Sequence, residues 1–235
     1  MLKVTAPAVY PNQLTIGPAL RRFRVFIQKI TITHSGVPAI GANSFFGLVL
    51  LTELDLSHNL LTNLDQTHFR GLENLRHLDL SHNRIASVPS GAFRFMPRLE
   101  TLNLSENALP GLAPRMFLEL GSLRSLDISG NSPSSLDPDV FEEVPKLQEL
   151  RCARCDLTKI SPKLYQMVPY LKVLDLSDNH LSTLRPQEYI QVSAVRQAGE
   201  GAAACCAILQ TCRGIEVKRR EIYQHLVIAL FSMSQ

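Results

Sequence analysis

Residues 51–83 read LTELDLSHNLLTNLDQTHFRGLENLRHLDLSHN, and the phrase LDLSHN at 54–59 returns unchanged at 78–83. Reading outward at the same 24-residue shift gives LETLNLSENALPGLAPRMFLELGS from Leu99 and LRSLDISGNSPSSLDPDVFEEVPK from Leu123. LQELRCARCDLTKISPKLYQMVPY follows from Leu147 and LKVLDLSDNHLSTLRPQEYIQVSA from Leu171, while a degenerate unit, IQKITITHSGVPAIGANSFFGLVL, starts at Ile27. The register never slips. One column holds Asn59, Asn83, Asn107, Asn131, Cys155 and Asn179; another holds Phe45, Phe69, Phe93, Phe117, Phe141, Tyr165 and Tyr189. A third holds Ile40, Leu64, Val88, Leu112, Leu136, Ile160 and Leu184. A fixed period of this length marks a stack of units that bury one another's apolar sides, because no single unit can bury its own.

Within each unit the fourth and sixth residues are apolar and the fifth is polar, the alternation of a half-buried strand. Leu54 and Leu56 therefore point inward and Asp55 outward. Successive strands stack as a parallel sheet about 4.8 Å apart, so seven give a concave face roughly 30 Å long. At the Asn column the chain leaves the strand with backbone groups turned inward, and a carboxamide offers them both a donor and acceptors. The aromatic column packs beneath the convex side as a spine.

The pattern LxxLxLxx(N/C)xL resembles the leucine-rich repeat family, over Ile27 to about Ile190. The 24-residue length with an aromatic at the nineteenth position is similar to the "typical" class, as in chaoptin-like and acid-labile-subunit-like extracellular proteins. The resemblance implies an α/β fold, a right-handed solenoid with a parallel sheet on its concave face. It also implies a non-catalytic, protein-binding scaffold, part of an extracellular or cell-surface recognition protein.

The ends read differently. Residues 1–26 form an N-terminal flank or partial cap, residues 27–190 the solenoid of about seven repeats, and residues 191–235 a non-repeat tail. Extracellular members of the family close their ends with cysteine-rich caps. Residues 1–26 contain no cysteine, and Cys205, Cys206 and Cys212 of the tail do not resemble such a cap. The Ala-rich stretch from Gln191 to Cys212 is either a helix-permissive cap or partner-binding segment, or sequence foreign to the solenoid. The start carries no secretory-signal pattern, and apolar runs such as Leu226 to Phe231 are far shorter than the roughly 20 residues of a membrane span. Membrane association would need segments beyond this sequence. A cytosolic adaptor or enzyme regulator is thus the alternative to the extracellular reading. The net charge of +3 divides into +4 in residues 1–26, −3 in 27–190 and +2 in 191–235. No block of five or six like charges appears, which argues against a nucleic-acid partner.

The columns nominate the concave-face residues. Asp55, Asp79, Asp127 and Asp175, with Asn103 in the same file, form an acidic stripe at the fifth position. Carboxylates in a row suggest acid–base chemistry or calcium, but their neighbours are Ser and Thr with no implied pocket, so a solvated stripe facing a basic partner is expected. His34, His58 and His82 share the eighth position, where a column of imidazoles suggests a metal or a pH response, though LDLSHN is an ordinary spelling of the repeat. The unit starting at Leu147 breaks the stripe with Arg151 and Arg154, and Arg76, Arg124 and Lys172 add charge at the second position. Such a reversal fixes a partner's orientation, and arginine is favoured at interface hot spots. Cys152 and Cys155 form a CxxC, which suggests zinc or thiol redox chemistry, but the second ligand pair that zinc needs is missing, so both are expected as small buried residues. Asn103-Leu104-Ser105 is an N-x-S sequon whose glycan would sit on the concave face. No phosphate loop, nucleophile elbow or metal motif is found. The expectation is no enzyme activity, no cofactor, no small-molecule substrate, and a protein partner.

Overall fold

The computed structural model describes Leu2–Val4, Leu14 and residues 26–161 and 163–181; residues 182–235, with Leu184, Tyr189 and the whole tail, lie outside the described residues. Eight short strands form one parallel sheet in sequence order: β1 (Leu2–Val4), β2 (Lys29–Ile32), β3 (Glu53–Asp55), β4 (His77–Asp79), β5 (Thr101–Asn103), β6 (Ser125–Asp127), β7 (Glu149–Arg151) and β8 (Val173–Asp175). From β2 to β8 the register advances by one repeat each time, Leu54 facing Leu78 and Leu78 facing Leu102. This is a solenoid in which each coil contributes one strand.

The first strand departs from the 24-residue rule. Leu2 pairs with Ile30 and Val4 with Ile32, and Leu14 makes a parallel bridge to Ile40. The Leu14 N–H donates to Ala39 O at 2.8 Å, and Gly41 N–H returns a bond to Leu14 O. The described parts of residues 1–26 thus extend the sheet by one strand, which the non-repetitive sequence there does not announce.

Each strand is three or four residues long because only the fourth residue must enter the sheet's inner layer while its neighbours face outward. Leu54, Leu78, Leu102, Leu126 and Leu150 are fully buried, as are the sixth-position residues Leu56, Leu80, Leu104 and Ile128. The aromatic spine is equally dry: Phe45, Phe69, Phe93, Phe117 and Phe141 have no exposed surface. Phe45 and Phe69 stack with centroids 6.2 Å apart, and Phe69 and Phe93 at 6.0 Å. Ile40, Leu64, Val88 and Leu136 close the core along the third column. On the return side the described chain is mostly turns, with a 3-10 segment Pro138–Phe141 and a short helix α1 (Leu164–Met167).

The asparagine column forms a ladder between coils. Asn83 Nδ2 donates to Leu56 O of the preceding coil (3.1 Å) and to Leu80 O (3.0 Å) and Ser81 O (3.1 Å) of its own. Its Oδ1 accepts the Leu61 N–H at 3.1 Å. Asn59, Asn107, Asn131 and Asn179 repeat the arrangement, accepting from Val37, Ile85, Leu109 and Leu157. Asn59 and Asn179 also accept the ninth-residue N–H of the preceding coil, from Ser35 and Cys155, but the N–H accepted in every case is that of its eleventh residue. Ahead of Cys155 that residue is Pro133, which has no N–H to offer. The coil that lost its carboxamide is therefore the one whose neighbour no longer needs an acceptor.

Cys155 is buried, as the repeat leads one to expect, but not as a lone side chain. It is joined to Cys152 by a disulfide, Cα–Cα 5.6 Å, with both residues fully buried. The sixth and ninth positions both point into the coil, and this brings the two sulfurs together.

Candidate functional site on the concave face

The fifth-position residues sit at the ends of β3 to β8, where the chain must turn. Asp55 Oδ1 accepts from the Ser57 N–H at 3.0 Å and from its hydroxyl at 2.7 Å. Asp79 does the same for Ser81 (2.9 and 2.6 Å), and Asp175 for Ser177 (3.0 and 2.7 Å). Asp127 accepts the Ser129 N–H at 2.9 Å. Asn103 substitutes without loss, its Oδ1 accepting from Ser105 N–H (3.0 Å) and Oγ–H (2.8 Å). These side chains are half-buried Asx turns rather than a purely solvated stripe. One oxygen of each is committed to the turn. The second oxygen of Asp79 accepts from Asn103 Nδ2 at 3.4 Å, and that of Asp55 has no further partner among the described residues.

Arg151 cannot make this turn, and the structure compensates from the adjacent coil: Ser129 Oγ accepts the Ala153 N–H at 3.1 Å. Neither arginine singled out in the sequence stands alone. Arg151 bonds Glu149 within its own strand, while Arg154 reaches two coils back to Glu106. The long reach is permitted by Gly130, which occupies the intervening place in the column. A Cβ there would lie 2.6 Å from the Glu106 carboxylate. The same column carries left-handed backbone throughout: φ is +54° at Glu106, +67° at Gly130, +51° at Arg154 and +54° at Asp178. Gly130 thus serves side-chain space more than backbone freedom. A mutant cycle of Glu106→Gln against Arg154→Gln is expected to show a coupling of about 0.2–1 kcal/mol, typical of exposed pairs. In a Gly130→Ala background the coupling vanishes; a persistent coupling in urea-denaturation measurements would show that the glycine is incidental.

At the other end of this column His34, His58 and His82 stack as parallel rings. Centroids are 4.4 Å apart for His34–His58 and 4.3 Å for His58–His82, with interplanar angles of 13° and 9°. All three are exposed, on left-handed backbone with φ of +52°, +54° and +51°. The pKa of His58 is lowered by partial loss of solvent, then by its neighbours His82 and His34, against the opposing pull of Asp79 and Asp55. Among the described residues no group of three or more His, Cys, Asp or Glu is placed to hold a metal ion.

Arg76, at the second position, pairs with Glu100 of the next coil. Arg124 is exposed and makes no ion pair among the described residues. At the third position Lys29 bonds Glu53 at 2.6 Å, and His77 Nδ1 lies 2.8 Å from Thr101 Oγ1. Lys29, Asp55, Asp79 and Asn103 line a shallow depression over β2 to β5. Sequence reasoning missed Glu106, Glu149 and Gly130, although each sits in a column it had already aligned.

Comparison with known proteins agrees with this architecture. Leucine rich repeat profiles match residues 27–85 and 78–132, and again 122–144 and 170–190. Among solved structures, a TLR13–ssRNA13 complex matches with a TM-score of 0.69 and 25% identity, over 74% of this chain and 24% of that one. The Toll–Spatzle complex of Drosophila matches with a TM-score of 0.66 and 24% identity, over 75% of this chain and 24% of that one. The chain therefore spans about a quarter of the length of these two structures. No curated protein sequence matches it. No helix among the described residues is long and apolar enough to cross a membrane. A 24-residue register, an asparagine ladder, a phenylalanine spine and matching profiles together place this chain in the leucine-rich repeat family.

Proposed function

We propose that the chain is a non-catalytic protein-binding scaffold, part of an extracellular or cell-surface recognition protein, with its partner on the concave face. The observation that carries this reading is the face itself, where short strands present exposed or half-exposed polar columns on a backbone fixed by ladder and spine. Binding to a preformed surface spends little ordering entropy. Three of the face's cations, Lys29, Arg151 and Arg154, are already paired with Glu53, Glu149 and Glu106. Among the described residues, the carboxylates without an ion pair, Asp55, Asp79, Asp127 and Asp175, outnumber the second-position cations without one, Arg124 and Lys172, which favours a basic protein surface and disfavours a phosphate backbone. The Cys152–Cys155 bond supports an oxidising compartment. One solved relative was captured with Spatzle and one with RNA, and the concave carboxylates here favour the protein class.

A glycan on Asn103 would stand beside Asp79 and confine the partner to one end of the face. The Arg151–Arg154 coil is the second anchor, because a charge reversal within an acidic surface fixes orientation. Immobilised full chain is to be screened against secreted and cell-surface proteins, and the affinity of any partner remeasured with variants. Arg151→Glu with Arg154→Glu is expected to weaken binding at least about tenfold. A partner whose affinity is unchanged by this pair and by Asp55→Lys with Asp79→Lys, in folded variants, overturns the concave-face reading.

A further inference from the structure

We propose that the His34–His58–His82 stack makes the concave face release a cationic protein partner as its surroundings acidify, by placing protons beside the carboxylates of Asp55 and Asp79. The proposal rests on the concave-face reading above and adds its regulation. The stack occupies the turn that immediately follows β2, β3 and β4, three residues beyond Thr31, Asp55 and Asp79 in the same coils. Each Asp is held in place by its bond to Ser57 or Ser81, and both act electrostatically on His58.

Imidazole gains its proton below about pH 6.5, where Asp and Glu remain ionised. Rings stacked at 4.3–4.4 Å cannot all charge with equal ease. His58, between the other two, resists protonation, its pKa lowered by partial loss of solvent and then by His82 and His34. The surrounding charges define the result. Asp55 and Asp79 face the stack from the strands; Glu106 follows His82 in the column but is tied to Arg154. Lys29 and Glu53 neutralise each other, and His77 stands at the third position of the coil that carries His82. Arg84 lies exposed two residues beyond His82 and keeps its charge throughout. At neutral pH this end of the face is therefore anionic through Asp55 and Asp79, and protons added to the stack offset that charge. A cationic partner loses its counter-charge and meets new cations.

The test uses the full chain and fluorescein-labelled dodecalysine, followed by anisotropy at constant ionic strength at about pH 7.5 and about pH 5.5. Wild-type affinity is expected to fall at least about tenfold between the two. The triple variant His34→Asn/His58→Asn/His82→Asn, which keeps a residue tolerant of left-handed backbone, is expected to change by less than about twofold. A wild-type affinity equal at both pH values overturns the proposal, as does a triple variant that loses as much as wild type. Should the triple variant not fold, the single His82→Asn is expected to shrink the step by about threefold, and an unchanged step is equally fatal. If dodecalysine fails to saturate at neutral pH, or binds Asp55→Asn/Asp79→Asn as tightly as wild type, the concave-face reading itself fails and release falls with it.

Discussion

Replacing Asn83 by leucine is expected to lower the stability of the solenoid by about 3–5 kcal/mol, although leucine is close to asparagine in size. The side chain is nine-tenths buried and serves four backbone groups in two coils. Leu61 N–H would lose its acceptor, and the carbonyls of Leu56, Leu80 and Ser81 would lose a donor. No water can replace them inside a coil packed on both sides. Because coils are coupled mainly to nearest neighbours, the damage is local first: hydrogen exchange at Leu61 accelerates before the global urea midpoint moves. An Asn83→Leu variant with unchanged exchange at Leu61 would falsify the ladder's energetic role.

Phe93→Ala is expected to cost about 3–5 kcal/mol, the range for emptying a buried aromatic site. The ring is fully buried and stacks on Phe69 at 6.0 Å, with Phe117 next in the column. A cavity there cannot close by local collapse, because the register of both neighbouring coils is fixed by the ladder and the sheet. Phe93→Leu retains most of the contact and is expected to cost less than half as much in the same urea titration. Equal losses for the two variants would mean that the spine is not what joins the coils at their convex side.

Much of this architecture was readable from the chain because its signals are periodic. A column of Asn at every 24th residue has only one structural use in a coil of this length, and the Phe column likewise. What stayed hidden depends on distances between columns. The Asp residues were read as solvated, yet Asp55 and Asp79 hold turns through Ser57 and Ser81; the D-x-S spelling was present, but its meaning depends on the turn geometry. Arg151 and Arg154 were read as a charge reversal that orients a partner, and their glutamates lie at separations of 2 and 48 residues, the second visible only once Gly130 is seen as a gap. β1 escaped because its pairing with β2 breaks the period, Leu2 meeting Ile30 at 28 residues instead of 24. Alignment of the chain on itself cannot find a strand that is not a copy.

The pairing of Pro133 with Cys155 has a consequence for how such a chain can be rearranged. Most coils present an N–H at the eleventh position and an asparagine at the ninth, so any one can follow any other. The coil beginning at Leu123 and the coil beginning at Leu147 fit this scheme on their outer sides only; between them, a missing donor meets a missing acceptor. Duplicating or deleting either one alone would set a proline against an asparagine, or a free amide against a sulfur. The two coils are in effect a single module of 48 residues, inherited or engineered together, embedded in an array whose other joints are interchangeable.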